Sequence, residues 1–205
     1  KLFGKVNMEA TFKTEIPPKI TIFDKILAKT LLKLISHSVT PNAVTVFRFA
    51  TIPFVIYFLY NEFYFYGSIL FSISALSDAV DGALARTRNQ ITEWGKTYDP
   101  VADKLLIILT AFILLLRYGH PLLAWIMALF EFIIFAGAFY RRYIKKVSIQ
   151  AHFSGKIKMF LQSIGLCFLL LYALNYGFLW FTLGIYTLYL SIFFGFLSFF
   201  VYHSA

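Results

Sequence analysis

Charge is scarce in this chain: only 14% of its residues are Asp, Glu, Lys or Arg, and just ten are acidic. Cysteine is scarcer still. Cys167 stands alone inside an apolar run, which excludes a disulfide framework built from this sequence. Residues Lys1 to Lys19 lack the apolar core that marks a secretory leader, and neither internal repeats nor low-complexity stretches are evident. The sequence begins at Lys1 without a Met, so a further domain before it stays open. What fills the space left by charge is apolar: hydrophobic residues make up 60% of the 205, and aromatic ones 20%. A soluble domain of this length cannot hide that much apolar surface, so lipid must cover most of it.

Six apolar runs, each near the roughly 20 residues that cross a bilayer, are expected at 42–61, 65–86, 97–116, 121–141, 156–175 and 178–202. The breaks between them are short and polar or turn-forming, as at Asn61-Glu62, Gly119-His120 and Asn175-Tyr176-Gly177. The fold expected is all-α, a six-transmembrane-helix bundle over residues 40–205. It is preceded by a segment, 1–39, that carries an amphipathic interfacial helix: Phe23, Ile26, Leu27, Leu31, Leu34 and Ile35 recur at helical spacing with Lys25, Lys29 and Lys33 between them. Thr40-Pro41 then begins the first span, Thr as cap and Pro at the first helical position.

The net charge is +9, and sixteen of the nineteen Lys and Arg residues fall before the first span, after the second, or between Arg141 and Lys158. On a membrane protein such an excess marks the cytoplasmic side and anionic lipid headgroups rather than nucleic acid. Both termini are therefore expected in the cytoplasm, along with the chemistry near residues 86–96.

Five carboxylates lie within or at the edges of the spans: Asp78, Asp81, Asp99, Asp103 and Glu131. An ionised Asp at the centre of a membrane helix costs about 2.5–3.5 kcal/mol on insertion scales, so these groups need cations, water or protons as partners. On a helix Asp78 and Asp81 share a face, with Gly82, Ala85 and Arg86 within about 140° of it. Gly95, Asp99 and Asp103 form a second stripe at intervals of four. The short connection makes the two helices antiparallel neighbours, so four carboxylates can converge near the cytoplasmic face. Such a group suits hard divalent cations, Mg2+ or Mn2+, and two such ions are the usual means of stabilising both oxygens of a phosphoryl displacement. Gly82, Ala85 and Gly95 leave that stripe without bulk, room for a flat nucleobase, and Arg86 is placed for a phosphate. Small residues alone are ordinary helix-packing residues; beside four aligned aspartates they read as a ligand site.

The run Asp78-x2-Asp81-Gly82-x2-Ala85-Arg86-x8-Gly95-x3-Asp99-x3-Asp103 resembles the complete signature of the CDP-alcohol phosphotransferase family, at all eight positions and with every gap. The resemblance implies that Asp78, Asp81 and Asp99 hold one metal ion and Asp78, Asp99 and Asp103 a second, with Asp103 also the base for the acceptor hydroxyl. It implies a CDP site lined by Gly82, Ala85, Arg86, Thr92 and Gly95, closed by Asn42 to Thr45. It further implies a CDP-linked lipid donor, a polar alcohol acceptor, release of CMP, and a homodimer.

The stretches from Gln90 to Gly95, Asp99 to Lys104 and Gly155 to Lys158 are similar to the phosphatidylglycerophosphate synthase branch, whose acceptor is glycerol 3-phosphate. Arg141, Arg142, Lys156 and Lys158 are the cations available for an acceptor phosphate, or else charges that set topology. One departure stands against that branch. Phe130-Glu131 occupies the place of its Arg-Glu pair, and Ala138 that of a later Arg, so an inositol phosphate or another polar alcohol stays open. The rival from a different class is a carboxylate-based ion transporter. It accounts for the aspartates but not for the Gly, Ala and Arg at fixed offsets from them.

Overall fold

A computed structural model describes residues 40–87, 93–143 and 153–203; within these, the backbone alone is described at 41, 78–87, 93–94, 96–97, 138, 141–143, 153–154 and 199–203. The expected amphipathic helix and the rest of 1–39 lie outside the described residues. Six helices make up the described chain: α1 (Pro41–Tyr60), α2 (Tyr64–Thr87), α3 (Glu93–Arg117), α4 (Pro121–Tyr143), α5 (Phe153–Ala173) and α6 (Phe178–His203). Every helix overlaps one of the six apolar runs. Backbone polar groups in lipid must be satisfied within the segment, so an apolar run has no alternative to a helix.

The boundaries follow local chemistry. Thr40 caps α1, its hydroxyl accepting from the Ala43 amide at 3.3 Å, and Pro41 opens the first turn. Left-handed residues follow the helix ends at Glu62 (φ 65°), Gly119 (φ 77°) and Asn175 (φ 65°), and Gly177 (φ 106°) stands just before α6. By length and composition α1, α5 and α6 can each cross a membrane, over Asn42–Tyr60, Gly155–Ala173 and Phe178–Ser198. Among the described residues, the apolar stretches of α2 and α4 run over Tyr64–Ser77 and Pro121–Gly137.

α3 is the hub: it packs against α1, α2, α4 and α5, while α1 pairs closely with α2, and α5 most extensively with α6. Its buried face, Leu106, Ile107, Ala111, Leu114 and Leu115, meets Ile52, Val55 and Leu59 of α1, Leu123 and Met127 of α4, and Leu166 and Leu169 of α5 in one cluster. The outside is apolar too, with Phe54, Leu122, Trp125 and Tyr186 all exposed. Lipid tails are as apolar as these side chains, so interlocking shape rather than water exclusion holds the helices together.

That shape is most demanding between α5 and α6. A β-carbon at Gly184 would stand 3.2 Å from the Gly165 carbonyl oxygen and 2.8 Å from Leu169 Cδ2; one at Gly165 would meet the Gly184 carbonyl at 3.3 Å. The two backbones touch at this point and neither has room to give. Gly184→Leu is expected to force α5 and α6 apart and destabilise the protein by about 1–3 kcal/mol, read as a lowered Tm in detergent. A Tm within two degrees or so of the parent would show that the crossing is looser than these distances require.

The three turns, α1–α2, α3–α4 and α5–α6, lie at one end. Arg117 of α3 pairs with Glu62 in the first turn. Tyr118 stacks edge-on to Tyr172 with ring centroids 5.0 Å apart, and His120 lies 5.5 Å from Phe181. The Arg117–Glu62 pair is exposed and contributes about 1 kcal/mol at most. The aspartate-bearing end of α2 and start of α3 are at the opposite end, where the basic residues concentrate.

Candidate active site

α1 carries a polar face through an otherwise apolar helix: Asn42, Thr45, Arg48 and Thr51 recur every third residue, and the last three are buried. The three buried ones reach neighbouring helices, Thr45 meeting α3 and Arg48 and Thr51 meeting α2. The Thr45 hydroxyl donates to Asp99 Oδ1 on α3. Thr51 donates to its own helix at the Arg48 carbonyl (2.8 Å), so in its 2.9 Å contact with Ser74 of α2 the Ser74 hydroxyl is the donor. Ser77 donates to the Ser74 carbonyl at 2.7 Å and accepts from Arg48 Nε at 3.4 Å. A polar ladder thus joins α1 to α2 and leads to the residue just before Asp78.

Asp99 and Asp103 sit one turn apart on α3, both partly buried, and Gly95 is buried a turn before them. These are hard oxygen donors on one helical face, the ligand type that Mg2+ or Mn2+ takes, and the hydrogen bond from Thr45 orients one of them. Asp78, Asp81, Gly82, Ala85 and Arg86 all lie in the helical backbone of α2, as their spacing requires; their side chains are outside the described residues, and so is Thr92. Among the described residues no three His, Cys, Asp or Glu side chains gather as a metal site, since two of the four aspartates are not among them. The donor chemistry present fits a divalent cation.

The four cations considered for an acceptor phosphate separate. Arg141 and Arg142 lie in the last turn of α4, with side chains outside the described residues. Lys156 is exposed in the first turns of α5. Lys158 is not open to an incoming phosphate: it is 3% exposed, and its ammonium donates to Glu131 Oε1 of α4. Gln162, one turn further along α5, donates to the same oxygen at 2.9 Å, while Glu131 Oε2 is buried without a hydrogen-bond partner among the described residues. Glu131 therefore braces α4 against α5, where the sequence had left its role unassigned. On its other side a cavity of about 220 Å³ between α3 and α4 is lined by Val101, Lys104, Leu105, Ile108, Glu131 and Phe132 among others, with Lys104 Nζ 5.6 Å from the Phe135 ring centre.

Sequence reasoning missed this cluster and the ladder below Thr45. The signals were present: Lys158 and Gln162 are four apart on one face of α5, and Arg48 interrupts an apolar span three residues after Thr45. A charge inside a span has to find a partner.

An acidic stripe, a polar helix face directed at it and a lipid-facing exterior define a membrane enzyme built around carboxylates. The model of the CDP-alcohol phosphatidyltransferase family matches residues 38–196, and the chain belongs to that family. It is a transferase of phospholipid synthesis, embedded in the membrane. Among curated proteins it is similar to the CDP-diacylglycerol–glycerol-3-phosphate 3-phosphatidyltransferase of Rickettsia typhi, 31% identical over 134 residues that cover 64% of this chain and 75% of that one. The enzyme of the same name from Salmonella choleraesuis is 35% identical over 138 residues, 63% of this chain and 75% of that one. That of Wigglesworthia glossinidia brevipalpis is 42% identical over 83 residues, and the match spans less than half of its length, 45%.

Proposed function

We propose that this protein transfers the phosphatidyl group of CDP-diacylglycerol to glycerol 3-phosphate and releases CMP, at a site on the cytoplasmic side of a six-span bundle. The observation that carries it is the Thr45–Asp99 hydrogen bond, which joins the start of α1 to the acidic stripe at the place where a CDP diphosphate has to be held. The names of the relatives support the acceptor. The clustering of Arg86, Lys96, Arg141 and Arg142 on the helix segments away from the turns supports the orientation.

Asp78, Asp81 and Asp99 would hold one divalent ion, and Asp78, Asp99 and Asp103 a second. Bound there, the ions supply neutralisation of the diphosphate and of the charge developing on CMP. Asp103 takes the proton of the acceptor hydroxyl. The freed oxygen forms its bond to the lipid-side phosphorus as the bond from that phosphorus to the CMP oxygen breaks, and CMP leaves as the anion. Gly82, Ala85 and Gly95 give the nucleotide room against the helix backbones, Asn42 and Thr45 close over the diphosphate, and Arg86 and Thr92 complete the CDP site.

For the acceptor phosphate, Arg141, Arg142 and Lys156 are the cations this site offers, with Lys158 committed to Glu131. Phe130 and Ala138, where arginines stand in the glycerol 3-phosphate branch, favour a second reading in which inositol phosphate is the acceptor. Mg2+-dependent CMP release from CDP-diacylglycerol by the purified protein decides between them. Glycerol 3-phosphate is expected to support release at least about tenfold faster than inositol phosphate, inositol or serine, a margin of about 1.4 kcal/mol. Faster release with inositol phosphate replaces the first reading by the second. No release with any acceptor, and no binding of a CMP-containing donor, removes the transferase assignment.

A further inference from the structure

We propose that Arg48 is a positioning residue of the active site, the fixed positive charge that holds the carboxylate cluster together and sets how tightly it takes its ions. The proposal rests on the divalent-ion reading given above. Arg48 is fully buried, at 0% exposure, inside an otherwise apolar span. A guanidinium keeps its charge under all ordinary conditions, so it persists at that depth only beside groups that complement it. Its place is specific. Three residues earlier Thr45 donates to Asp99; Arg48 itself donates through Nε to Ser77, which precedes Asp78; three residues later Thr51 bonds Ser74. Within a single turn, about 5 Å of helix, α1 therefore reaches one carboxylate directly and the immediate neighbour of another.

Both of those carboxylates, Asp78 and Asp99, are shared by the two ion sites. Without ions, four aspartates repel one another; Arg48 supplies a charge of opposite sign and seats α2 on α1 so that Asp78 and Asp99 keep their spacing. The same charge opposes an incoming divalent cation. Removing it therefore tightens ion binding while loosening the geometry that chemistry needs, a pair of effects that a merely structural residue does not produce.

The test uses the full chain in detergent, with Mn2+ binding followed by electron paramagnetic resonance in the absence of any lipid donor. Tm with and without Mn2+, and kcat and KM for CMP release, are measured beside it. Arg48→Gln is expected to lower the Mn2+ half-saturation about five- to tenfold, to widen the Tm difference between ion-free and ion-loaded protein, and to reduce kcat at unchanged KM. Arg48→Lys keeps the charge but loses the planar fork, so Mn2+ half-saturation stays within about twofold while kcat falls. Ser77→Ala leaves every charge in place and removes the Arg48–Ser77 hydrogen bond, with the same result as the Lys variant expected. Recovery of Arg48→Gln only from preparations kept in Mn2+ supports the proposal. Unchanged or weakened Mn2+ binding in a folded Arg48→Gln protein overturns it. If that variant cannot be recovered at all, unchanged kcat in Ser77→Ala overturns it instead. Absence of Mn2+ binding by the parent protein would count against the divalent-ion reading itself, a different failure.

Discussion

Asp103→Asn is expected to lower CMP release about a thousandfold, within the range of a lost general base, while leaving Tm within a degree or two of the parent. The first half follows from what Asn cannot do. It has the shape of Asp but cannot accept the acceptor's proton at neutral pH, and its neutral amide is a poor substitute for a carboxylate that the second ion site requires. The second half follows from where Asp103 sits. It is partly buried on α3, beside Ala102, which is fully buried, one turn before Ile107 and two before Thr110. The packing face of α3 is made by Ala102, Leu106, Ile107, Ala111, Leu114 and Leu115, none of which changes volume in this variant. The loss should fall on kcat and leave the KM for the acceptor near its parent value, because the proton moves only as the reaction proceeds. Retention of more than a tenth of the rate would remove Asp103 from the role of base. An equal loss of folded protein would mean that its carboxylate holds the helices together.

The helices were legible in the sequence because lipid leaves an apolar run so few options. Thr40-Pro41 and the turns at Glu62, Gly119 and Asn175 could be placed from residue type alone, and the observed helices begin or end within a few residues of those signals. The acidic stripe was legible for a related reason: Asp99 and Asp103 are costly in a span, so their spacing had to mean something. Partner choice was not legible. Lys158 counted among the basic residues of the cytoplasmic end because the fifth apolar run was drawn from 156. The helix begins at Phe153, which carries Lys158 more than a turn inside. Whether it then meets Glu131 depends on the depth at which α4, running one way, passes α5 running the other. That register is set by contacts such as the Gly165–Gly184 crossing and by space at Gly195, where a β-carbon would strike the Phe130 ring at 2.4 Å and the Lys158 stem at 3.2 Å. No spacing rule within one helix contains this information.

Lys158→Met should cost about 3–5 kcal/mol of stability, because it leaves Glu131 buried with Gln162 as its one remaining described partner. Both members of the pair are almost completely enclosed, at 2% and 3% exposure, so neither can turn to water when the other is gone. Glu131→Leu should be damaging for the mirror-image reason, stranding the ammonium. The informative protein is the double variant, Glu131→Leu with Lys158→Met, in which neither member of the pair is left stranded and the volumes are close to the originals. Replacing a whole buried pair by apolar residues is often neutral or better, so the double variant should recover most of the Tm lost by either single change. Its activity then separates two roles for Lys158. If the lysine serves only to hold α5 against α4, the rescued protein turns over at about half the parent rate or more, with KM for the acceptor unchanged. If its ammonium also meets the acceptor's phosphate during turnover, stability returns while that KM rises about tenfold or more, the loss of a charge-assisted contact. The enclosed geometry favours the first result, because an ammonium already donating to a buried carboxylate has to abandon that oxygen before it can reach a phosphate.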